Sequence, residues 1–151
     1  GEEAMNLTDI LTAERIQFTD EALEWQDAIA LALKPLTDDK SIEPAYVDAV
    51  INKVKTVGPY IDLGLGIALP HARPEEGVNK LGMTFLRTRT PVNLLDDPAH
   101  AIKLFISLAA TDNHSHLKAL AELTGILGDS VKLERLMNAT TTDEVLAVFK
   151  E

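Results

Sequence analysis

The feature that most constrains the fold is an apolar run from Ile102 to Ala110. Asp96-Asp97-Pro98 precedes the run and Asp112-Asn113 follows it, so polar turn residues bound it on both sides. A short run that is apolar on both faces is typical of a strand in the middle of a sheet whose two faces are covered by helices. The run therefore predicts a central strand, and with it a sheet that lies between helical layers.

Helical patterns precede this strand. Residues 25–36 carry an apolar stripe that includes Trp25, and Pro35 lies near its end. Ser41-Ile-Glu-Pro44 is typical of a helix start with proline in the first turn, and Gly58-Pro59 is typical of a helix end. Two helices are therefore predicted before the middle of the chain.

Helical patterns also follow the central strand. A helix capped by Asp112 or Asn113 is predicted first, and two more are predicted near residues 130–138 and 142–150. The apolar residues that recur at helical spacing in the first of these helices are Leu117, Leu120, Ala121, Thr124 and Leu127.

Three other segments resemble strands. Arg15-Ile-Gln-Phe18 alternates polar and apolar residues and predicts an edge strand, and Leu81 to Leu86 predicts a second strand whose extension Pro91 limits. Tyr60 to Leu69 is apolar but interrupted by glycine, which indicates a bend or a close backbone approach. Together these patterns predict an α/β (α+β) fold, a three-layer α/β/α sandwich with a central mixed β-sheet.

Length and composition predict one domain. The chain has 151 residues, of which 46% are hydrophobic and 25% charged, the balance of a globular protein. Residues 1–4 precede Met5 and are interpreted as a remnant of expression, so the domain is predicted to span residues 5–151. Neither a signal peptide nor a membrane span is predicted, because the longest apolar stretch, Ala28 to Leu33, is short.

Charge and cysteine content exclude several function classes. Lys and Arg total 14 against 24 Asp and Glu, which gives a net charge of −10 with histidine neutral. This sign argues against binding to nucleic acid or anionic lipid and permits a basic protein partner. The absence of cysteine excludes disulfides, thiolate metal sites and cysteine catalysis.

The histidines offer the best candidates for chemistry. His71 follows one strand-like segment and is close to Arg73, and His116 follows the central strand at the start of a predicted helix. If the two strands are neighbours, both imidazoles lie at one edge of the sheet beside a guanidinium and helix N–H groups. A neutral imidazole is a good nucleophile, and arginine and helix N-termini stabilise phosphate oxygens, so this arrangement suits a phosphoryl group.

Two alternatives stay open at this point. Histidines near strand ends are more often surface or hydrogen-bonded residues, and Arg73 is more often solvated or paired with Glu75 or Glu76. Asp112-Asn-His-Ser-His116 could also bind a divalent metal, although the His-x-His pattern is not specific. Motifs for a P-loop, a dinucleotide fold and a nucleophile elbow are absent.

At Gly66-Ile-Ala-Leu-Pro-His71 the sequence resembles the enzyme IIA component, type 2 (mannitol/fructose-like), of the bacterial phosphoenolpyruvate-dependent sugar phosphotransferase system. Gly58-Pro-Tyr60 and the tract from Pro70 to Val78 are similar to its ascorbate-specific branch. Leu108-Ala-Ala-Thr-Asp112, followed by His116, resembles the segment of the second family histidine. The resemblance extends from about residue 6 to 150.

The resemblance implies a cytoplasmic phosphotransferase with a phosphohistidine intermediate and no cofactor or metal. It implies that His71 accepts the phosphoryl group from the histidine phosphocarrier protein (HPr) and passes it to a cysteine of a cognate IIB protein or domain, through which the protein associates peripherally with the membrane IIC component. His116 would orient His71 or the phosphoryl group, and Arg73 would support the anion. Mannitol-like members have an upstream arginine that this chain lacks, so Lys55, Arg73 or backbone amides are expected to replace it.

Three functions are therefore weighed. The first is phosphoryl transfer for uptake of ascorbate or a similar sugar. The second is a IIA-like regulatory domain in which phosphorylation of His71 controls the binding of another protein. The third is a metal-dependent hydrolase that uses His114 and His116. The ascorbate-like tracts favour the first. Apolar residues near the site, namely Leu65, Ile67 and Leu69, are expected either to pack in the sheet or to take part in docking.

Overall fold

The structure is a computed structural model that describes residues 6–151; the predicted domain boundary at Met5 lies outside the described residues. The helices are α1 Trp25–Asp38, α2 Pro44–Val57, α3 Asn113–Leu127, α4 Ser130–Asn138 and α5 Thr142–Lys150. The strands are β1 Ile16–Thr19, β2 Asp62–Gly64, β3 Ile67–Ala68, β4 Gly82–Asn93 and β5 Ala101–Ala109. Every helix predicted from the sequence is present at nearly its predicted bounds.

The five strands form one mixed sheet in the order β1-β4-β5-β3-β2. β5 lies in the middle and pairs antiparallel with β4 and parallel with β3. β1 lies at one edge and pairs parallel with β4, and the short β2 forms the other edge, antiparallel to β3. The predictions of a central strand near 102–110 and an edge strand near 15–18 are both confirmed.

Helices cover both faces of the sheet because successive residues of the central strand point to opposite sides. Leu104, Ile106 and Leu108 of β5 pack in one apolar core with α3, α4 and α5. Phe105 and Ala109 pack in the other core with α1 and α2. The predicted three-layer α/β/α sandwich is therefore confirmed. Within residues 6–151, no helix is long and apolar enough to cross a membrane.

Two details of the sequence interpretation are wrong. β4 does not end before Pro91 but continues to Asn93, because the pairing with β5 shifts register between Arg87 and Val92 and leaves Pro91 exposed at the irregularity. A proline at such a position removes no hydrogen bond from the ladder.

The second detail is the face of α3 that packs on the sheet. The buried residues of this helix are Ala119, Leu123 and Ile126, not the stripe chosen from the sequence. Leu117 of that stripe is 63% exposed. Leu120, Thr124 and Leu127 of the stripe line a groove against Leu63 and Leu65, and Leu120 and Leu127 are also partly buried against the core.

Candidate functional site

The parallel pairing of β3 with β5 brings His71 and His116 together. Both strands run toward the same edge of the sheet, and His71 lies three residues beyond the end of β3. At the end of β5, the Asp112 carboxylate accepts the Ser115 N–H and caps α3, and His116 occupies the first turn of that helix. The two imidazole centroids are 5.9 Å apart with an interplanar angle of 36°.

The tautomer of His71 is fixed by a backbone contact. Its Nδ1 lies 2.7 Å from the carbonyl oxygen of Leu69. A carbonyl oxygen can only accept a hydrogen bond, so Nδ1 carries the proton and the lone pair of the neutral ring is on Nε2. Burial lowers the pKa of His71, and the nearby His116 and Lys53 lower it further, against the opposing effect of the Leu69 carbonyl. His71 is thus held in its neutral, nucleophilic form.

Two tyrosines hold the backbone on either side of the His71 side chain. The Tyr60 hydroxyl donates to the His71 carbonyl oxygen, and its ring meets the His71 ring edge to face with centroids 5.2 Å apart. The fully buried Tyr46 accepts the Ala72 N–H at 2.9 Å and donates to the Leu108 carbonyl oxygen at 3.3 Å. Tyr46 therefore ties the segment after β3 to the end of β5, the two places from which the histidines project.

A small open cavity of about 150 Å³ lies between the two histidines. It is lined by Lys53, His71, Ala72, Arg73, Pro74, Ala110, Asn113 and His116. The lining is cationic or neutral: it has a lysine, an arginine and two imidazoles, and no carboxylate. A site of this composition suits an anion with several oxygens, because ammonium, guanidinium and imidazole N–H groups all donate hydrogen bonds.

One of the two cations expected to replace the upstream arginine lines the cavity, and a lysine that was not expected there lines it as well. Arg73 lines the cavity, as expected. Lys55 is exposed and does not line it. Lys53, which sequence reasoning missed, lines the cavity instead. The helical period would have found it, because Lys53 lies seven residues after the buried Tyr46, almost two full turns along the same face of α2.

The other histidines and the nearby apolar residues have different surroundings. His100 pairs through Nδ1 with Asp62 at 2.7 Å, and neither lines the cavity. Among residues 6–151 no three histidine or carboxylate side chains come close enough to hold a metal ion, so the hydrolase hypothesis has no ligand set in that part of the chain. Ile67 and Leu69 are buried, whereas Leu65 is 77% exposed.

Leu65 also has an unusual backbone. It lies between Gly64 and Gly66 at the turn from β2 to β3, and all three residues have positive φ, 58° for Leu65 itself. The left-handed region costs a residue with a Cβ roughly 1–2 kcal/mol. The chain therefore exposes an apolar side chain from a strained backbone position. From the glycines of this segment the sequence predicted a bend or a close backbone approach, but not the exposed leucine.

The fold and the site together define a class: an α/β domain with a histidine pair and cations at one edge of its sheet. Residues 9–151 match the family described as "Phosphoenolpyruvate-dependent sugar phosphotransferase system, EIIA 2". The chain therefore belongs to this family, as its resemblance suggested. The ascorbate-specific PTS system EIIA component of Escherichia coli (strain K12) is 31% identical over 144 residues, which cover 94% of each chain.

Solved structures agree with this assignment. The solution structure of the mannitol-specific cryptic phosphotransferase enzyme IIA CmtB from Escherichia coli is 32% identical with a TM-score of 0.89, and the match covers 97% of this chain and 99% of that one. A second neighbour is the IIA mannitol enzyme of Escherichia coli in complex with phosphorylated IIB mannitol enzyme. It is 30% identical with a TM-score of 0.79, over 93% of this chain and 98% of that one.

Proposed function

We propose that this protein is a cytoplasmic phosphoryl carrier that serves the uptake of ascorbate or a similar sugar acid. His71 accepts the phosphoryl group from the histidine phosphocarrier protein and passes it to a cysteine of a cognate IIB protein. Membership of the EIIA 2 family and the similarity to an ascorbate-specific relative support the system and the sugar. The relative solved with phosphorylated IIB mannitol enzyme supports a IIB partner.

The observation that carries the proposal is the hydrogen bond from His71 Nδ1 to the Leu69 carbonyl. It leaves the Nε2 lone pair free to attack the phosphorus of the donor's phosphohistidine. The new P–N bond forms as the donor's P–N bond breaks, and that electron pair returns to the donor imidazole. In the second step the cysteine attacks as its thiolate, so no thiol proton has to be removed during the transfer. A P–S bond forms as the N–P bond of His71 breaks, and the electron pair of that bond returns to Nε2.

Neither step requires His71 to lose its Nδ1 proton. Phosphoryl transfer passes through a loose, metaphosphate-like transition state, so catalysis consists mainly of positioning and charge stabilisation. The Leu69 carbonyl fixes the ring, His116 is close enough to contact the phosphoryl group, and Arg73 supplies positive charge at the cavity wall.

The size of the cavity supports a phosphoryl group rather than a sugar as the ligand. Pockets for small organic molecules usually measure about 300–1,000 Å³. The cavity beside His71 measures about 150 Å³ and opens to the surface, where a partner's side chain can reach it. The sugar is therefore selected elsewhere in the transport system, and ascorbate is assigned here through the relative alone.

Intact-mass measurement tests the proposal. Wild type, His71→Ala and the control His100→Ala are incubated with phosphoenolpyruvate, enzyme I and the histidine phosphocarrier protein. We expect one acid-labile phosphoryl group on wild type and on the His100 variant, and none on the His71 variant. Phosphorylation of His71→Ala, or none of wild type, would refute the proposal. Normal phosphorylation without transfer to any IIB protein would replace transport with regulation.

A further inference from the structure

The tract Gly58-Pro59-Tyr60 forms a tight turn directly after α2. Gly58 has φ 108° and ψ −169°, a backbone conformation that is essentially restricted to glycine. The Tyr60 N–H donates to the Gly58 carbonyl oxygen at 2.8 Å, which closes a γ-turn around Pro59, and the proline ring fixes φ at the centre of that turn. The backbone of this tract therefore determines where the Tyr60 side chain lies.

The residues that follow Tyr60 anchor the turn on the sheet. Ile61 is fully buried, and its carbonyl oxygen accepts the Leu69 N–H at 2.8 Å. Asp62 begins β2, and its N–H donates to the Pro59 carbonyl oxygen at 3.0 Å. Tyr60 is thus held between the end of α2 and the sheet, and both of its neighbours make backbone contacts that fix the turn.

The side chain of Tyr60 contacts His71 in two places. Its hydroxyl donates to the His71 carbonyl oxygen, and its ring lies edge to face with the imidazole, with centroids 5.2 Å apart and an interplanar angle of 73°. Burial raises the pKa of Tyr60, and the nearby Tyr46 and Glu76 raise it further, so the hydroxyl keeps its proton and stays a donor at neutral pH. One side chain therefore holds both the backbone and the ring of His71.

The hydrogen bond from His71 Nδ1 to the Leu69 carbonyl leaves one motion of the ring to be restrained. If the imidazole rotates about its Cβ–Cγ bond, Nδ1 leaves that carbonyl, and the neutral ring can then carry its proton on Nε2 instead. A protonated Nε2 has no lone pair with which to attack phosphorus. An aromatic ring packed on the imidazole opposes this rotation, because the ring cannot turn without losing that contact.

We propose that Tyr60 is a positioning residue for phosphoryl transfer, whose ring holds the His71 imidazole with Nδ1 on the Leu69 carbonyl and Nε2 free to attack. This inference rests on the proposed function and assigns a role to the Gly58-Pro59-Tyr60 turn. Tyr60 exchanges no proton with the phosphoryl group and acts only through His71. It therefore affects the attack of Nε2 on phosphorus and the later breaking of the N–P bond alike. A misplacement of about 1 Å in a reacting group can cost about a hundredfold in rate.

The first experiment measures phosphoryl transfer between the full chain and the carrier protein, in both directions. Tyr60→Leu removes the ring and the hydroxyl, whereas Tyr60→Phe keeps the ring. We expect Tyr60→Leu to be at least about tenfold slower in each direction with an unchanged KM for the carrier, and Tyr60→Phe to stay within about threefold of wild type. A Tyr60→Leu variant as fast as wild type, or a Tyr60→Phe variant as slow as Tyr60→Leu, would overturn the role of the ring.

The second experiment measures the tautomer of His71 in the unphosphorylated proteins, from the ¹⁵N chemical shifts of the imidazole nitrogens. Wild type should show the Nδ1–H form, and Tyr60→Leu should show a measurable fraction of the Nε2–H form. The control is Lys53→Met, which removes the ammonium group that lies 4.8 Å from the Tyr60 ring centroid but leaves that ring on His71, and it should keep the Nδ1–H form. An unchanged tautomer in Tyr60→Leu would overturn the proposal, since a merely structural role would not move this signal.

A matched pair of glycine variants tests the turn with Tyr60 itself left in place. In the described part of the chain, an added Cβ would meet no atom within 4 Å at Gly58 or at Gly125 of α3, but only Gly58 has positive φ. Gly58→Ala should therefore slow transfer and shift the His71 tautomer as Tyr60→Leu does, and Gly125→Ala should do neither. Wild-type behaviour of Gly58→Ala would overturn the role of the turn. Failure of the proposed function is distinguishable, because wild type would then stay unphosphorylated while the tautomer comparison still reports on Tyr60.

Discussion

Tyr46→Phe removes a single oxygen atom from the link between the two histidine-bearing segments. The hydroxyl is fully buried, accepts the Ala72 N–H at 2.9 Å and donates to the Leu108 carbonyl oxygen at 3.3 Å. Phenylalanine fills almost the same space, so the core keeps its packing and only the hydrogen bonds are lost. The variant therefore isolates what these two bonds contribute to the site.

The expected loss of stability in Tyr46→Phe follows from the two backbone groups that lose their hydrogen-bond partner, the Ala72 N–H and the Leu108 carbonyl oxygen. Each buried donor or acceptor that loses its partner costs roughly 1–3 kcal/mol, and water can reach the half-buried Ala72 more easily than the Leu108 carbonyl. We expect the free energy of unfolding to fall by about 2 kcal/mol. For a domain of this size that corresponds to a decrease in Tm of roughly 4–8 °C.

Urea unfolding at neutral pH measures this loss, with Tyr60→Phe as the control. Tyr60 is only half-buried and its partner is the His71 carbonyl, so its variant should lose less than about 1 kcal/mol. Phosphoryl transfer should slow by about tenfold in Tyr46→Phe with KM for the carrier unchanged, since Tyr46 positions Ala72 without touching a partner. A stability loss below about 0.5 kcal/mol would refute the reasoning.

Alkaline pH gives a second signature of the same hydroxyl. Burial raises the pKa of Tyr46 to about 12 from its ordinary value of 10.0. The unfolded chain therefore releases this proton at a lower pH than the folded protein. The contribution of the protonated Tyr46 to the free energy of unfolding is complete below pH 10 and is lost as the pH rises toward 12. Wild type should lose stability more steeply in this window than Tyr46→Phe, by at most ~1.4 kcal/mol per pH unit. Equal slopes would contradict the burial of the hydroxyl.

Three further predictions concern other parts of the molecule. NMR titration should give a His71 pKa below the ordinary value of 6.5, and a higher value would contradict the burial of the ring. Because the unfolded chain then takes up this proton at a higher pH than the folded protein, the free energy of unfolding should keep its full contribution from the neutral ring above pH 6.5 and lose it as the pH falls further. Leu65→Asn suits the left-handed backbone and should keep stability while raising KM for a partner protein; an unchanged KM excludes docking there. Thr84→Val with Ser107→Ala removes two buried hydroxyls that lack partners, so urea unfolding should show a gain of up to ~2 kcal/mol rather than a loss.

The layer architecture could be predicted because its signals are local and repeated. The run from Ile102 to Ala110 is apolar on both faces, and only a strand covered on both sides buries such a run. Helix ends were also readable, since Pro44 and Gly58 mark the bounds of α2 by backbone geometry alone. The prediction that the strand ends before Pro91 was wrong because the register shift between β4 and β5 depends on how the two strands pair, and the sequence of one strand does not show this pairing.

The site was predictable in part for the same reason. His71 and His116 follow strand-like segments, and their meeting required only that β3 and β5 be parallel neighbours. Which lysine of α2 faces the cavity depends on the rotation of the helix about its axis. Lys53 lines the cavity, whereas Lys55, only two residues further along, is exposed to solvent. Tyr46 is buried among the apolar residues of α2, and its hydroxyl has partners only because two other segments of the chain pack against it.

The residues that sequence reasoning missed share one property: they act on His71 from elements other than its own. Tyr46 and Lys53 belong to α2, and Tyr60 to the turn after it, yet all three converge on the segment that follows β3. That segment has no regular secondary structure from Leu69 to Arg73, so its shape depends on these contacts. Helix α2 therefore supports the segment that carries His71, the proposed nucleophile, and we expect changes in the buried face of this helix to alter phosphoryl transfer before they unfold the domain.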